Sequence, residues 1–130
     1  MISKWDAQQA LRLIEAERVT LFSSVPSLVK DLLTQPNIGD FDISSLHRVS
    51  SGGAAMPSDL PGIIEARIDK AYASGGYGLT ETLAVGSQAA GAVFDAKPAA
   101  AGVQSPIMHV RCTSPDGSVL PLGDPGEIEM

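Results

Sequence analysis

Residues 76–82, with the sequence GYGLTET, combine an aromatic ring, glycines, hydroxyl groups and a carboxylate directly after a predicted strand. The Tyr77 ring offers a flat face on which a base can stack, and Gly78 lets the backbone come close to a ligand. Thr80 can donate its hydroxyl to a phosphate oxygen, and Glu81 is a hard oxygen ligand suited to Mg²⁺. Each residue alone is more often part of an ordinary polar turn, but together they favour a site for a metal-bound nucleotide.

A second glycine-bearing turn, residues 50–54, follows another predicted strand. From residue 6 to residue 74 the predicted elements alternate helix, strand, helix, strand, helix, strand, which is typical of parallel strands joined by helical crossovers. In such sheets ligands bind at the carboxyl ends of the strands. We therefore expect the turns at 50–54 and 75–82 to lie side by side.

Periodicity and capping residues give the bounds of these elements. In the first helix, 6–18, Asp6 and Gln9 resemble a capping box, and Ala7, Ala10, Leu11 and Ile14 share one face. Pro26 ends the first strand because it has no N–H to donate, and Ser27 is predicted to cap the second helix. The other predicted helix covers 57–68; the predicted strands cover 19–22, 46–50, 69–74, 83–89, 109–113 and 127–130; and 37–45 and 91–102 are predicted loops.

After residue 82 the chain changes to short apolar segments separated by turns, of which 115–118 (PDGS) is the strongest. The predicted fold class is therefore α/β, with a partial parallel sheet and helical crossovers followed by a small antiparallel β region. We place the boundary near residue 95, which gives segments 1–95 and 96–130. No strand precedes the first helix and Met130 falls within a predicted strand, so we expect both ends to be cut.

Composition excludes several classes of function. The formal charge of −6 and the isoelectric point near 4.7 argue against nucleic acid or an anionic membrane as a partner. The longest apolar run, 83–94, is interrupted and too short to span a bilayer. A single cysteine, Cys112, forms no internal disulfide and fits a reducing cytoplasm, and the histidines and this cysteine lack the spacing of a zinc site. We expect a cytoplasmic protein without a membrane span.

Several segments resemble one family when taken in order. Residues 76–81 resemble the YGxTE signature of the adenylate-forming enzymes, which include acyl- and aryl-CoA synthetases, luciferases and the adenylation domains of peptide synthetases. Residues 25–27 (VPS) resemble the family's strand-to-helix turn, 51–56 (SGGAAM) its glycine-rich GGAPL turn, and 116–128 its "DG…LP.GE.GEI" run. The resemblance covers nearly the whole chain. Ala55 and Gln104 stand where the family commonly has proline, and both positions lie in structural turns.

The resemblance implies a role for each matching residue. The glycine-rich turn forms one wall of an adenine slot, and the Tyr77 ring lies opposite. Thr80 binds the nucleotide phosphate, Glu81 holds the Mg²⁺ that bridges the phosphates, and Gly78 with the backbone of Leu79 faces the acyl carboxylate. The implied catalytic residues are Thr80 and Glu81, and Glu81 is the implied metal ligand. The implied nucleotide-binding residues are Gly52, Gly53, Ala54, Gly76, Tyr77, Gly78, Leu79 and Thr80. The implied lining of the acyl pocket includes Phe22, Val25 and residues 83–86, although such residues are more often core.

The implied parent reaction joins a carboxylic acid to ATP as an acyl-adenylate and then transfers the acyl group to a thiol, usually coenzyme A. The implied cofactors are ATP or AMP, Mg²⁺ and coenzyme A, and the substrate is a fatty or an aromatic acid. The family's lysine-bearing phosphate loop, its ribose-binding aspartate and its carboxyl-terminal domain with a catalytic lysine have no counterpart in this sequence. We therefore expect an internal fragment of an acyl-CoA synthetase that is inactive alone.

Other interpretations stay open at this point. One is a stand-alone module that stacks adenine on Tyr77 without chemistry, and another is an interaction domain that forms homo-oligomers through surfaces exposed by truncation. A serine hydrolase is not indicated, because no G-x-S-x-G elbow occurs, and Glu81 replaces the third glycine of a dinucleotide fingerprint. His47 and His109 are expected at the surface, and Cys112 is expected to be an inert strand residue.

Overall fold

The computed structural model describes residues 4–69, 72–98 and 100–130. Within these ranges the helices are α1 (Ala7–Glu17), α2 (Pro26–Leu33), α3 (Leu60–Arg67) and α4 (Ala92–Ala96), and short 3₁₀ turns cover Ile38–Asp40 and Thr80–Thr82. The strands are β1 (Leu21–Ser24), β2 (Arg48–Ser51), β3 (Tyr72–Tyr77), β4 (Ser87–Ala90), β5 (Val103–Gln104), β6 (Arg111–Thr113) and β7 (Glu127–Glu129).

The described strands form two sheets. The larger sheet has the order β1-β2-β3-β4-β5. Its first three strands are parallel and are connected through helices, whereas β4 and β5 run antiparallel to their neighbours. Strands β6 and β7 form a separate antiparallel pair. The predicted fold class is confirmed.

Helices α2 and α3 pack against one face of the larger sheet, and α1 packs against α2. The predicted α1 face is confirmed, since Ala7, Ala10, Leu11 and Ile14 are its buried residues. Each fully buried leucine or isoleucine contributes about 1.5–3 kcal/mol to stability. The buried cluster consists of Ala10, Leu11, Ile14, Val29, Leu32, Leu33, Ile38, Leu46, Val49, Leu60, Ile64 and Ile68.

Strand register separates this core from a polar face of the sheet. Phe22, Val49 and Ala73 are paired across β1, β2 and β3 and pack against the buried cluster. The next row, Ser23, Ser50 and Ser74, faces the opposite side because alternate residues of a strand point to opposite faces. The parallel strands therefore carry hydroxyls on the face away from the helices.

Two helix starts differ from the sequence prediction. Ser27 does not cap α2: the capping position is Val25, which makes no side-chain capping bond, and Pro26 occupies the first turn. Proline is suited to that position because its fixed φ matches the helix and its missing N–H has no helical partner to lose. Helix α3 begins at Leu60 rather than residue 57, with Pro61 in its first turn. By contrast, the Asp6 half of the predicted capping box of α1 is confirmed, as the Gln9 backbone N–H donates to the Asp6 carboxylate at 2.9 Å.

The second half of the chain differs more. Part of the predicted loop at 91–102 is helix α4, whose Phe94 is buried and lies close to Gly75. The helix packs against β3 and β4. The strand predicted at 83–89 is confined to Ser87–Ala90. The strand predicted at 69–74 is observed at Tyr72–Tyr77, and residues 70 and 71 lie outside the described residues. No helix in 4–69, 72–98 or 100–130 has the length and apolar character needed to cross a membrane.

The boundary near residue 95 stays a prediction. Strand β5 comes after that point and still pairs with β4 in the larger sheet, where Gln88 is opposite Val103. The β6–β7 pair is separate from this sheet. Strand β7 begins one residue after Gly126, and a Cβ at that glycine would meet the Thr113 carbonyl oxygen at 2.6 Å, so the approach of these two backbones depends on glycine.

Candidate functional site

The two glycine-bearing turns lie next to each other, as the alternation of helices and strands predicts. Ser51 at the end of β2 is paired with Gly75 in β3. The chain continues from Ser51 into Gly52 and Gly53 on one side and from Gly75 into Gly76 on the other. Gly53 has φ of +76°, a left-handed conformation that residues with a Cβ rarely adopt. The carboxyl ends of two parallel strands thus bring both turns to one edge of the sheet.

Residues 78–86 form a tight loop between the antiparallel strands β3 and β4. The Gly86 N–H donates to the Tyr77 carbonyl oxygen at 3.1 Å and closes the loop. Within it, Leu83 and Ala84 have φ of 53° and 61°, although both carry a Cβ. A Cβ on Gly78 would lie 2.4 Å from the Ala84 carbonyl carbon, so only glycine fits there. The loop backbone is folded back on the end of β3.

Two cavities of about 680 Å³ and 480 Å³ lie around these turns. Their sizes fall within the range of roughly 300–1,000 Å³ that is usual for small-molecule sites. Their linings overlap at the two turns, and we call the two cavities together the depression at the strand ends. The residues common to both are Ser51, Gly53, Gly75, Gly76, Tyr77, Gly78 and Leu79.

Nearly all the site residues predicted from the sequence line these cavities. The larger cavity is lined by Gly52, Gly53, Gly76, Tyr77, Gly78, Leu79 and Thr80, and Ala54 lines the smaller one. Glu81 lies outside both linings and is exposed, in the 3₁₀ turn beside Thr80. The structure therefore brings the predicted slot residues together and leaves the predicted metal ligand at the rim. Their roles stay predictions.

The predicted acyl-pocket residues are only partly brought to the cavities. Phe22 is half-buried, packs against the buried cluster with its ring centroid 6.0 Å from that of Trp5, and lines neither cavity; its assignment to the pocket stays a prediction. Val25 and Leu83 line neither cavity, and the Leu83 side chain is 86% exposed. Ala84 and Val85 do line the larger cavity.

The cavity walls are uncharged. Among the described residues that line them there is no lysine, arginine, histidine or carboxylate. Polar contacts come instead from hydroxyls, amides and backbone N–H groups of the turns. The Ser51 hydroxyl is buried and has no hydrogen-bond partner among the described residues. The walls alone therefore supply little compensation for phosphate charge.

Glu81 fits a metal that is shared with a ligand. The described residues contain no group of three or more His, Cys, Asp or Glu side chains able to hold a metal ion. Mg²⁺ usually keeps several waters and binds through one or two carboxylates together with substrate phosphates. A single exposed carboxylate next to Thr80 is compatible with that arrangement, and it does not make a metal site of its own.

Some cavity residues were not expected from the sequence. Gln88 of β4, Gln104 of β5 and Ser105 line the larger cavity because β4 pairs with β3 and β5 pairs with β4. Gln88 falls within the strand predicted at 83–89, but that prediction did not say which strand it would pair with. His47 and His109 are exposed, as predicted. Cys112 lies in β6 and is half-buried.

Comparison with known proteins gives a consistent result. A sequence model of the family described as AMP-binding enzyme matches residues 1–130. The chain is 33% identical to 4-coumarate–CoA ligase 1 of Solanum tuberosum over 98% of its own length and 24% of that protein, and 35% identical to a feruloyl-CoA synthase of Amycolatopsis over 97% of its length and 25% of that protein. The chain thus spans about a quarter of these curated relatives.

Solved structures agree with the sequence comparison. The N-terminal domain of FACL13 from Mycobacterium tuberculosis has a TM-score of 0.83 and 27% identity, over 98% of this chain and 31% of that chain. The amide bond synthetase McbA from Marinactinospora thermotolerans has a TM-score of 0.82 and 26% identity, over 98% of this chain and 26% of that chain. The fold of nearly the whole chain, strand-end turns included, is therefore one that larger proteins contain.

Proposed function

Because the chain belongs to the family of AMP-binding enzymes, we propose that it is an internal segment of an ATP-dependent acyl-CoA synthetase. The parent enzyme joins a carboxylic acid to the α-phosphate of ATP and releases pyrophosphate. It then passes the acyl group from the adenylate to the thiol of coenzyme A and releases AMP. The observation that carries the proposal is that the turns after β2 and β3 line one depression that contains Tyr77 and Thr80. The curated relatives of this chain that are named above are CoA ligases, which does not favour the alternative of a stand-alone module that binds adenine without chemistry.

In this proposal the segment supplies the adenine slot. The Tyr77 ring, which is 37% exposed at the depression, stacks on the base. Opposite it the small residues Gly52, Gly53 and Ala54 leave room for a flat ring, since none of them carries a side chain beyond Cβ. Gly76 contributes backbone at the same edge, where a Cβ would meet the Ser87 carbonyl oxygen at 2.6 Å.

The reacting end of the nucleotide lies at the 3₁₀ turn. The Thr80 hydroxyl donates to a phosphate oxygen, and Gly78 with the Leu79 backbone faces the acid's carboxylate. Glu81 holds Mg²⁺, which neutralises phosphate charge when it is bound. Positioning and charge stabilisation supply most of the rate enhancement in such a phosphoryl or nucleotidyl transfer. The uncharged cavity walls leave cationic groups to be supplied from outside this segment, so we propose that the chain alone is inactive.

The acid is proposed to be aromatic. The two relatives named above are a 4-coumarate–CoA ligase and a feruloyl-CoA synthase, and an aromatic ring needs an apolar wall of the kind that Ala84 and Val85 provide. A fatty acid is the other member of the predicted substrate class. We also propose that 1–95 belong to the parent's α/β subdomain and 96–130 to the start of its β-barrel subdomain.

A titration with a matched control tests the nucleotide site. Backbone amide NMR of the 130-residue chain is followed while Mg·ATP or AMP is added, for the wild type, Tyr77→Ala and Tyr72→Ala. We expect chemical-shift changes only at the turns 52–54 and 76–80. These changes should be absent in Tyr77→Ala and present in Tyr72→Ala. Tyr72 is the matched control because it lies on the same strand, is 63% exposed and lines neither cavity. No shift at millimolar nucleotide, or equal loss in both variants, would contradict the proposal.

An exchange assay tests the expected inactivity. ATP–pyrophosphate exchange is measured for the chain alone with 4-coumarate, ferulate and a set of fatty acids. We expect no exchange above background with any of them. Exchange with any acid would show that the catalytic groups are already present in this segment.

A further inference from the structure

The Thr82 side chain is bonded twice to one residue of the loop. Its hydroxyl accepts a hydrogen bond from the Leu79 N–H at 3.0 Å and donates one to the Leu79 carbonyl oxygen at 3.0 Å. The Thr82 N–H also donates to that carbonyl oxygen, at 3.1 Å. A threonine hydroxyl has one proton and two lone pairs, so both side-chain bonds can form at once.

The Leu79 carbonyl oxygen is therefore the centre of the loop. It accepts from the Thr82 hydroxyl, from the Thr82 N–H and from the Ala84 N–H, the last at 2.8 Å. The Ala84 bond belongs to the segment in which Leu83 and Ala84 both adopt the left-handed region. That region is unfavourable for residues with a Cβ. The surrounding hydrogen bonds must hold these two residues there.

The bonds between Leu79 and Thr82 enclose the two residues that face the ligand in the proposed function. Thr80 and Glu81 lie between Leu79 and Thr82, and Thr80 lines the larger cavity whereas Thr82 lines neither. We propose that Thr82 is a positioning residue, an inference that rests on the proposed nucleotide site. Its hydroxyl fixes the backbone on both sides of Thr80 and Glu81 and so sets where their side chains point. It does so without touching the nucleotide.

The test compares Thr82→Val, which keeps the shape and removes the hydroxyl, with Thr82→Ser, which keeps the hydroxyl. Thr34→Val is the matched control, because the Thr34 hydroxyl also bonds to a backbone carbonyl, that of Lys30 at 2.8 Å, at the end of α2. Thr34 lines neither cavity. Should Thr82→Val fail to fold, Thr82→Ala removes the same hydroxyl without a branched side chain.

The first measurement is of the loop in the free 130-residue chain. A strong amide-to-Hα nuclear Overhauser effect within Leu83 and Ala84 marks the left-handed conformation. We expect it to weaken in Thr82→Val, with amide exchange at Leu79 about tenfold faster, the size expected when one hydrogen bond is lost. Thr82→Ser and Thr34→Val are expected to match the wild type. An unchanged loop in Thr82→Val would overturn the proposal.

The second measurement is the dissociation constant for Mg·ATP by NMR titration. We expect Thr82→Val to weaken binding about tenfold, and Thr82→Ser to restore it to within about twofold of the wild type. A loosened loop with unchanged affinity would overturn the positioning role. If the wild-type chain binds no nucleotide, the proposed function fails and the loop measurement alone decides the role of Thr82. A weaker nuclear Overhauser effect in Thr82→Val, with the wild-type effect restored in Thr82→Ser, then supports Thr82 as the residue that holds the loop. An unchanged effect in Thr82→Val overturns it.

Discussion

Replacing Gly78 by alanine tests how the loop beside Tyr77 is built. A Cβ at this position would lie 2.4 Å from the carbonyl carbon, 2.5 Å from the carbonyl oxygen and 2.9 Å from the Cα of Ala84. Relief of these contacts requires a backbone movement of roughly 1 Å, because carbon atoms pack at about 3.5–4.0 Å. The atoms that must move belong to backbone and not to the end of a flexible side chain, so the substitution forces the loop away from β3.

The size of the effect follows from two opposing terms. Overpacking of this kind costs about 1–3 kcal/mol, and alanine returns about 0.4–1 kcal/mol by reducing the freedom of the unfolded chain. We expect Gly78→Ala to lower the free energy of unfolding by about 1–2 kcal/mol. For a domain of this size, that loss moves the urea midpoint down by roughly 0.5–1 M.

Gly62→Ala is the matched control for this experiment. Gly62 lies in α3, and a Cβ there would meet no atom within 4 Å. Alanine is the better helix former, so we expect this variant to gain about 0.5 kcal/mol. Urea unfolding of both variants is followed by far-ultraviolet circular dichroism. If Gly78→Ala is as stable as Gly62→Ala, the close approach of Gly78 and Ala84 does not exist in solution.

Three further predictions concern single contacts. Asp6→Ala is expected to lower the free energy of unfolding by about 0.5–2 kcal/mol through loss of the α1 cap. The measurement is urea unfolding, with Lys4→Ala as a control that is expected to leave stability unchanged. Ser51→Ala removes a buried hydroxyl that has no partner among the described residues, so the free energy of unfolding is expected to stay unchanged or rise by up to about 1 kcal/mol. Ser45→Ala breaks the hydrogen bond to the Val19 carbonyl oxygen and is expected to lower the free energy of unfolding by about 1–3 kcal/mol; equal losses in the two variants would contradict this. Hydrogen bonds from Ser114 and Ser118 lower the pKa of Asp116 from its ordinary 3.8 to about 2, so its stabilising effect on the turn at 115–118 is present above pH 3.8 and is lost as the pH falls to about 2; carboxyl-carbon NMR titration checks this value, and a midpoint near 3.8 would refute it.

The first half of the fold was predictable because its patterns are local. Asp6 and Gln9 define the start of α1, and the spacing of Ala7, Ala10, Leu11 and Ile14 defines its buried side. Alternating helices and strands then imply parallel strands, whose carboxyl ends must meet at one edge. This is why the turns at 50–54 and 75–82 could be placed together from the sequence.

Strand bounds and the second half of the chain were less predictable because pairing between distant segments decides them. Strand β3 extends to Tyr77 through Ser74, Gly75 and Gly76, residues that favour strands weakly, because β2 pairs with it as far as Gly75 and β4 pairs with it as far as Tyr77. Helix α4 lies in an alanine-rich stretch that carries little amphipathic pattern, and burial of Phe94 holds it against the sheet. No local pattern in the sequence predicts the pairing of β3 or the packing of α4.

The site depends on backbone more than on side chains. Gly53 adopts a left-handed conformation, while Gly76 and Gly78 each approach another segment so closely that a Cβ would clash. Around them the cavity walls carry hydroxyls and amides but no charge in the part of the chain that the structure describes. Such a site offers a fixed shape, and the charge that a phosphate requires has to come from a bound metal or from other segments. For that reason, substitutions that move the backbone, such as Gly78→Ala and Thr82→Val, are expected to lower ligand affinity although neither removes a side chain that contacts the ligand.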